Sequence, residues 1–448
     1  MTAGPLLPNV LAFAVPLILS GMLQLLYNSA DIIVVGRFAD SVAMASVGAT
    51  TSLIHLLVSL LMGLSVGASV AVARAAGAGD RDGVHRAVHT SMALAVLSGA
   101  ALGVLLLVLS RPLLEMMGCP ADVVGGAQLY LNIYAVGLPA SLVYNYGAAI
   151  LRAVGDTKRP LYYLTVSGLV NVVLNVALVA GLRLGVAGVA IATVVSETIS
   201  AALVLASLIA SHGDVRFEPK KTRIERRSLS MILRIGIPAG LQSSMFSISN
   251  VLIQSAINSF GSTVVAGNSA ASNLEGFIYT GMNAFAQAAV TFTSQNVGAR
   301  RYDNLDRVMR NCLLCVTVVG LFLGCGAYFG GEVLLHFYST DEAVVAAGLS
   351  RMQIICTAYF LCGIMDTLAS CLRGRGYSVI PMIVSLVGSC LLRLVWIATI
   401  FRMFRSTGTL YISYPISWAL TAGVHLICLL VVRKKMNDQL KEETRLAA

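Results

Sequence analysis

Apolar residues in this chain gather into runs of about 20, the length that crosses a hydrocarbon core as a helix. Twelve runs can be marked, near residues 9–36, 42–73, 88–109, 127–151, 161–181, 186–210, 231–259, 264–297, 311–330, 347–372, 379–401 and 410–433. None shows the dyad alternation of a barrel strand. A backbone in lipid must satisfy its own hydrogen bonds, so the reading is an all-α polytopic membrane protein with twelve transmembrane helices. With 57% hydrophobic and 12% charged residues, the apolar surface is far too large for a soluble fold. No charged residue precedes the first run, which is too long and too polar on one face for the core of a signal peptide, so it is expected to stay as the first span.

Charge placement gives an orientation. Of the 31 Lys and Arg residues, 24 fall in the loops of one side and 6, Arg351 among them, on the other; Arg393 is left inside a span. The positive-inside rule then expects both termini and the central linker in the cytoplasm of a protein of the cell membrane. The net charge of +10 is therefore topogenic, with anionic headgroups as its neighbours and no nucleic acid as a partner. Nine cysteines, of which only Cys119 is clearly in a loop, do not make a disulfide framework. Cys312 and Cys315 form one isolated C-x-x-C, read as structural thiols.

The chain repeats itself. A shift of 221 or 222 residues sets Pro16 on Pro238, Asn28 on Asn250, Gly77 on Gly298, and LRAVGDTKRP (151–160) on LRGRGYSVIP (372–381). Two six-helix bundles are expected, at 1–210 and 231–433, with a polar linker at 211–230 and a tail at 434–448. Six is even, so the halves form a parallel repeat about an axis along the membrane normal, a plan common among secondary transporters. Rocking of one half against the other suits such a chain.

One stretch departs from plain apolarity. Pro16–Gly36 buries a carboxylate, Asp31, in a face it shares with Gln24, Tyr27 and Asn28. A carboxylate deep in a membrane helix costs about 2.5–3.5 kcal/mol on insertion scales, so it reads as part of an ion or substrate pathway. Its alternative is a carboxylate held by neighbouring donors for helix packing.

These features together resemble the multidrug and toxic compound extrusion family, MATE: the 6+6 plan, Pro16, Gln24 and Asp31 on the first helix, the loop 151–160, and Asn171 and Asn175 followed by GVAGVAIAT. The likeness covers essentially the whole chain and is nearest to the prokaryotic branch with its cation site in the N-terminal half. It implies export of amphipathic, often cationic compounds in exchange for H⁺ or Na⁺, with Asp31, Gln24, Asn171, Asn175 and Thr193 coupling the ion and Pro16 as a kink point. Asn175 stands where the family has a second Asp, which removes one titratable group. Asp31 with Asn oxygens still suits Na⁺, and Asp31 alone can take one proton. No acid occurs from Ser228 to Asn273, so the family's Glu on helix 7 has no match.

Further polar groups are read one by one. Glu197, four residues after Thr193, either extends the ion site or snorkels to the helix end. Glu275 and Asp366 are candidates to hold a cationic substrate, with Tyr27, Asn28, Met245, Asn250, Gln254 and Met282 expected in the cavity wall, where thioethers and aromatic faces suit several ligands. Arg393 is expected to pair with one of those two acids. His55 and His425 read as structural. No cofactor beyond the coupling ion is expected, and a monomer suffices. The alternative is a flippase for lipid-linked saccharide, which would want a ring of cavity cations where Arg393 is the only intramembrane one. A membrane enzyme would need a reactive cluster that six scattered histidines do not supply.

Overall fold

The computed structural model describes residues 1–39, 41–211 and 213–447, apart from the side chains of Ile32, Ser41, Ser52 and 439–447; the tail's Lys441 and Arg445 therefore lie outside the described residues. Twelve helical runs follow one another: α1 (Leu6–Phe38), α2 (Ser41–Gly77), α3 (Arg81–Met116), α4 (Ala121–Ala153), α5 (Lys158–Asn175), α6 (Gly185–Ala210), α7 (Arg226–Asn258), α8 (Ser262–Gly298), α9 (Asp303–Phe329), α10 in two segments (Glu342–Ala358 and Phe360–Gly374), α11 (from Val379, with Leu392–Ala398 as its later segment) and α12 (Ser413–Ala447). Among the described residues nine helices are long and apolar enough to cross a membrane, and ten when the two segments of α10, bent by 42°, count as one span. The remaining two, α7 and α8, are as long but carry Gln242, Ser244, Ser249, Asn250, Asn268 and Glu275, which lower their apolarity. The twelve-helix expectation holds. Polar residues, rather than a lack of length, hide two of the spans.

The duplication is visible in backbone detail. α4 and α10 both end in a Schellman motif: Asp156 N–H donates to Leu151 O (2.9 Å) and Tyr377 N–H to Leu372 O (3.0 Å). The intervening Gly155 and Gly376 have φ +98° and +94°, a conformation that a Cβ disfavours. Both loops of the sequence repeat therefore stop their helices in one way.

Cα packing divides the chain into two compact units. The first holds Met1–Thr2, Leu11–Ser244 and Ser294–Arg300; the second holds Ala3–Val10, Met245–Thr293 and Arg301–Ala448. In the first unit α4 is central and packs on α2, α3 and α6, burying Leu131, Leu138, Leu142, Tyr146 and Ile150. Helices in lipid gain little from burying apolar groups against each other, so close backbone approach matters more. Accordingly, Gly103 on α3 faces α4 where a Cβ would stand 2.6 Å from Ala135 O. The linker is tied down in this unit: His89 Nε2 accepts from Glu218 N–H (3.0 Å), Thr90 Oγ1 accepts from Glu225 N–H (3.0 Å), and Phe217 N–H donates to Leu208 O (3.0 Å).

In the second unit α9 packs on both segments of α10, and Phe360–Gly374 packs in turn on α12. Gly324 on α9 admits Cys356 O so closely that a Cβ would stand 2.1 Å from it. Two π-turns interrupt the regular helices. Val176–Gly181 extends α5 directly after Asn175, and Leu386–Leu391 lies within α11 just before Arg393. Such wide turns occur often at functional sites.

Candidate functional site

In the first unit α1, α5 and α6 meet at Asp31. Asn175 Nδ2 donates to Asp31 Oδ1 and to Asn171 Oδ1 (3.1 Å), and Asn171 Nδ2 donates to Ser196 Oγ (3.4 Å). Asn171 and Asn175 lie one turn apart on α5, which puts both amides on one face. Asn175 is 1% exposed and its own Oδ1 finds no donor. Thr193 on α6 bonds back to Val189 O (3.0 Å) and meets Tyr130 of α4. Of the five residues expected to hold the ion, the fold thus brings together Asp31, Asn171 and Asn175, with Thr193 beside them.

Gln24 does not join them. It is exposed, and no hydrogen bond ties it to Asp31. Asn28 is likewise exposed, whereas Tyr27 is turned to α5, its hydroxyl donating to Thr165 O (3.3 Å). Pro16 lies inside an unbroken α1, and Ser20 Oγ donates to its carbonyl (2.8 Å).

Glu197 corrects one expectation. It does not snorkel outward but points inward to Ser141, beside Tyr130 and Tyr134. The two tyrosines stack with centroids 6.3 Å apart. Tyr130, Tyr134 and Ser141 escaped the sequence reading, although their spacing of four and seven residues on α4 marks one polar edge in an apolar helix.

The second unit has a separate polar cluster. Arg351 Nε and Nη2 donate to the two oxygens of Glu275 (2.8 and 2.7 Å), and its Nη1 donates to Asn268 Oδ1 (2.7 Å). Asn268 Nδ2 donates on to Gln254 Oε1 (3.1 Å). Arg351, counted above as a loop residue, is therefore buried inside α10 at 5% exposure. Arg393 is not the only cation within the spans. Nor does it pair with an acid, because Arg351 occupies Glu275, and Asp366 bonds with Tyr279. Arg393 instead donates from Nε to Ser417 Oγ (2.8 Å) and lies over the rings of Tyr414 (4.2 Å) and Trp418 (5.6 Å). Of the other cavity candidates, Met245 and Asn250 are exposed. Met282 is not a wall residue: at 1% exposure it fills the space at Gly320 and Gly363.

The fold defines the class, a duplicated multi-pass membrane protein. The family model MatE matches residues 16–177 and again 238–399, 222 residues apart at both ends, and the chain belongs to this family of membrane transporters. It is similar to the probable multidrug resistance protein YoeA of Bacillus subtilis, 25% identical over 84% of this chain and 82% of that one. It is also similar to a FAD transporter of Shewanella oneidensis, 24% identical over 68% of this chain and 69% of that one. Among solved structures, a MATE transporter in complex with MaL6 superposes with a TM-score of 0.91 at 21% identity, covering 97% of this chain and 98% of that one. In the register of the two family matches, Arg393 stands where the first half has Asn171.

Proposed function

We propose that the protein is a proton-coupled antiporter of the cell membrane that exports amphipathic, often cationic compounds, acts as a monomer and keeps both termini in the cytoplasm. The relatives named for multidrug resistance support the export of small molecules. The observation that carries the coupling is the chain Asp31–Asn175–Asn171–Ser196, which ties three helices of one unit to a single carboxylate. No Lys or Arg is bonded to Asp31 among the described residues, so the group that neutralises it must come from solution.

A proton fits this arrangement with the least rearrangement. Asn171 Oδ1 already accepts a hydrogen bond, the Thr193 hydroxyl is turned to its own helix, and Gln24 is elsewhere, which leaves Asn175 Oδ1 as the one unengaged amide oxygen. For Na⁺, Thr193 and Gln24 would first have to turn towards Asp31. Uptake of a proton by Asp31 removes the charge that the Asn175 amide stabilises and so loosens α1 from α5. Antiport then requires only that proton and substrate favour opposite states of that contact.

The test is ethidium uptake into inverted vesicles with imposed pH or Na⁺ gradients, for the wild type and Asp31→Asn. Uptake driven by the pH gradient and lost in Asp31→Asn is expected. Uptake that follows only the Na⁺ gradient overturns the proton reading, and uptake indifferent to Asp31 overturns the site.

A further inference from the structure

Arg393 is 2% exposed and its Nη2 has no hydrogen-bond partner. Each carboxylate near it is already engaged: Glu275 receives two bonds from Arg351, and Asp366 bonds with Tyr279. Around Arg393 the neighbours are neutral. Ser417 accepts from Nε, Tyr414 and Trp418 cover the faces of the guanidinium, and Cys390, one turn earlier, gives its thiol to Met245 O (3.6 Å). Ser249, one turn along α7 from Met245, is a second buried polar group; its hydroxyl meets only the weakly bonding Cys390 thiol.

A buried guanidinium without a counter-charge is costly, and a chain that keeps one has a use for it. Stacking on aromatic rings compensates the faces of the ion but not its in-plane N–H groups, of which Ser417 meets Nε and nothing meets Nη2. Those N–H groups form a fork matched to a carboxylate or phosphate. The exposed Met245, with its pliable side chain, lies at the edge of this cluster, where its carbonyl accepts from the Cys390 thiol.

We propose that Arg393, with Ser249 as its hydroxyl partner, binds an oxyanion borne by the transported compound, so that the second unit selects zwitterionic amphipaths with a free carboxylate. The proposal rests on the efflux reading and extends it to substrate choice. Asp31 and Arg393 then divide the labour: the acid in one half takes the coupling ion, while the base in the other half recognises a carboxylate.

A matched pair of probes tests this. Rhodamine 110 carries a free carboxylate, and rhodamine 123 is its methyl ester. Their binding to the purified full-length protein is followed by fluorescence polarisation, and their export in inverted vesicles, for the wild type, Arg393→Gln and Arg393→Lys. Loss of one charge-assisted hydrogen-bonded contact predicts about tenfold weaker binding of rhodamine 110 to Arg393→Gln. Rhodamine 123 should change less than about twofold, and Arg393→Lys should be intermediate because it keeps the charge without the fork. Equal changes for both dyes, or none for either, overturn the proposal. If Arg393→Gln fails to fold, the Arg393→Lys dye ratio decides alone, and a ratio equal to that of the wild type overturns it. A phospholipid retained by the wild type through delipidation and lost from Arg393→Gln, with no preference between the dyes, assigns the oxyanion to a lipid headgroup and overturns the substrate version. Export of rhodamine 123 without discrimination leaves the efflux reading standing, whereas failure to export either dye removes both.

Discussion

The ring of Tyr27 lies across Gly168, so near that a Cβ on this glycine would stand 1.8 Å from Tyr27 Cε2. This contact sets α1 on α5 one turn from Asp31 on α1 and two turns from Asn175 on α5. Gly168→Ala must displace the ring and is expected to lower stability by about 1–3 kcal/mol, as overpacking does. Thermal melts of Gly168→Ala, Tyr27→Leu and the double variant check it: the double variant should recover most of the loss.

Asn175→Leu removes the donor that holds Asp31 and leaves the carboxylate in place. Drive by the pH gradient should fall about tenfold, the worth of one hydrogen bond to a charged group, with the melting temperature changed little. Initial rates of ethidium uptake measure this.

The Arg351–Glu275 pair makes a stability prediction for the second unit. Both side chains are buried, at 6% and 7% exposure, and the bond is bidentate. Glu275→Gln leaves a guanidinium uncompensated and should cost about 3–5 kcal/mol. Adding Arg351→Met should restore much of it, because replacing both partners removes the unpaired charge. Denaturation in detergent, followed by far-UV circular dichroism, compares the three.

At the foot of α7, Glu225 Oε2 accepts from Ser228 N–H (2.7 Å), and this bond holds the carboxyl below its usual range. A depressed value means that the folded state binds the proton less readily than the unfolded one. Its contribution is present above the ordinary carboxylate range and is lost as pH falls through the folded value. Glu225→Ala should therefore lower stability near neutrality by about 1 kcal/mol, the worth of a helix cap, and the difference from the wild type should vanish in acid. Melts at neutral and acid pH test it.

Much of this arrangement is legible in the sequence, for reasons that differ by residue. Run length alone reveals the helices, because lipid leaves the backbone no other choice. Asn171 and Asn175 stand four apart on an apolar helix, so a one-dimensional pattern already puts them together. Glu197 and Tyr134 approach each other only when α4 packs on α6, and helical spacing within one element carries no sign of that. Arg351 misleads because it stands only four residues inside the run 347–372 and so reads as a charge at the loop end; only the fold shows that α10 begins earlier, at Glu342, and draws the guanidinium inward to Glu275. Gln24 lies on the Asp31 side of α1, yet α5 covers Tyr27 and leaves Gln24 out, a consequence of helix rotation that residue spacing does not reveal.

The two π-turns bear on what the duplication can still exchange. The first follows Asn175 and so lies beyond the amide pair, while the second lies before Arg393. A π-turn takes up one extra residue as a wide turn, and the helix continues on the same face beyond it. The second half carries one residue more between its 372–381 loop, matched at a shift of 221, and residue 399, matched at 222, and the turn at Leu386–Leu391 lies where that residue is absorbed. Position 393 thereby keeps the place of position 171, so at this point the halves have diverged by side chain, a guanidinium for an amide, and not by helix phase.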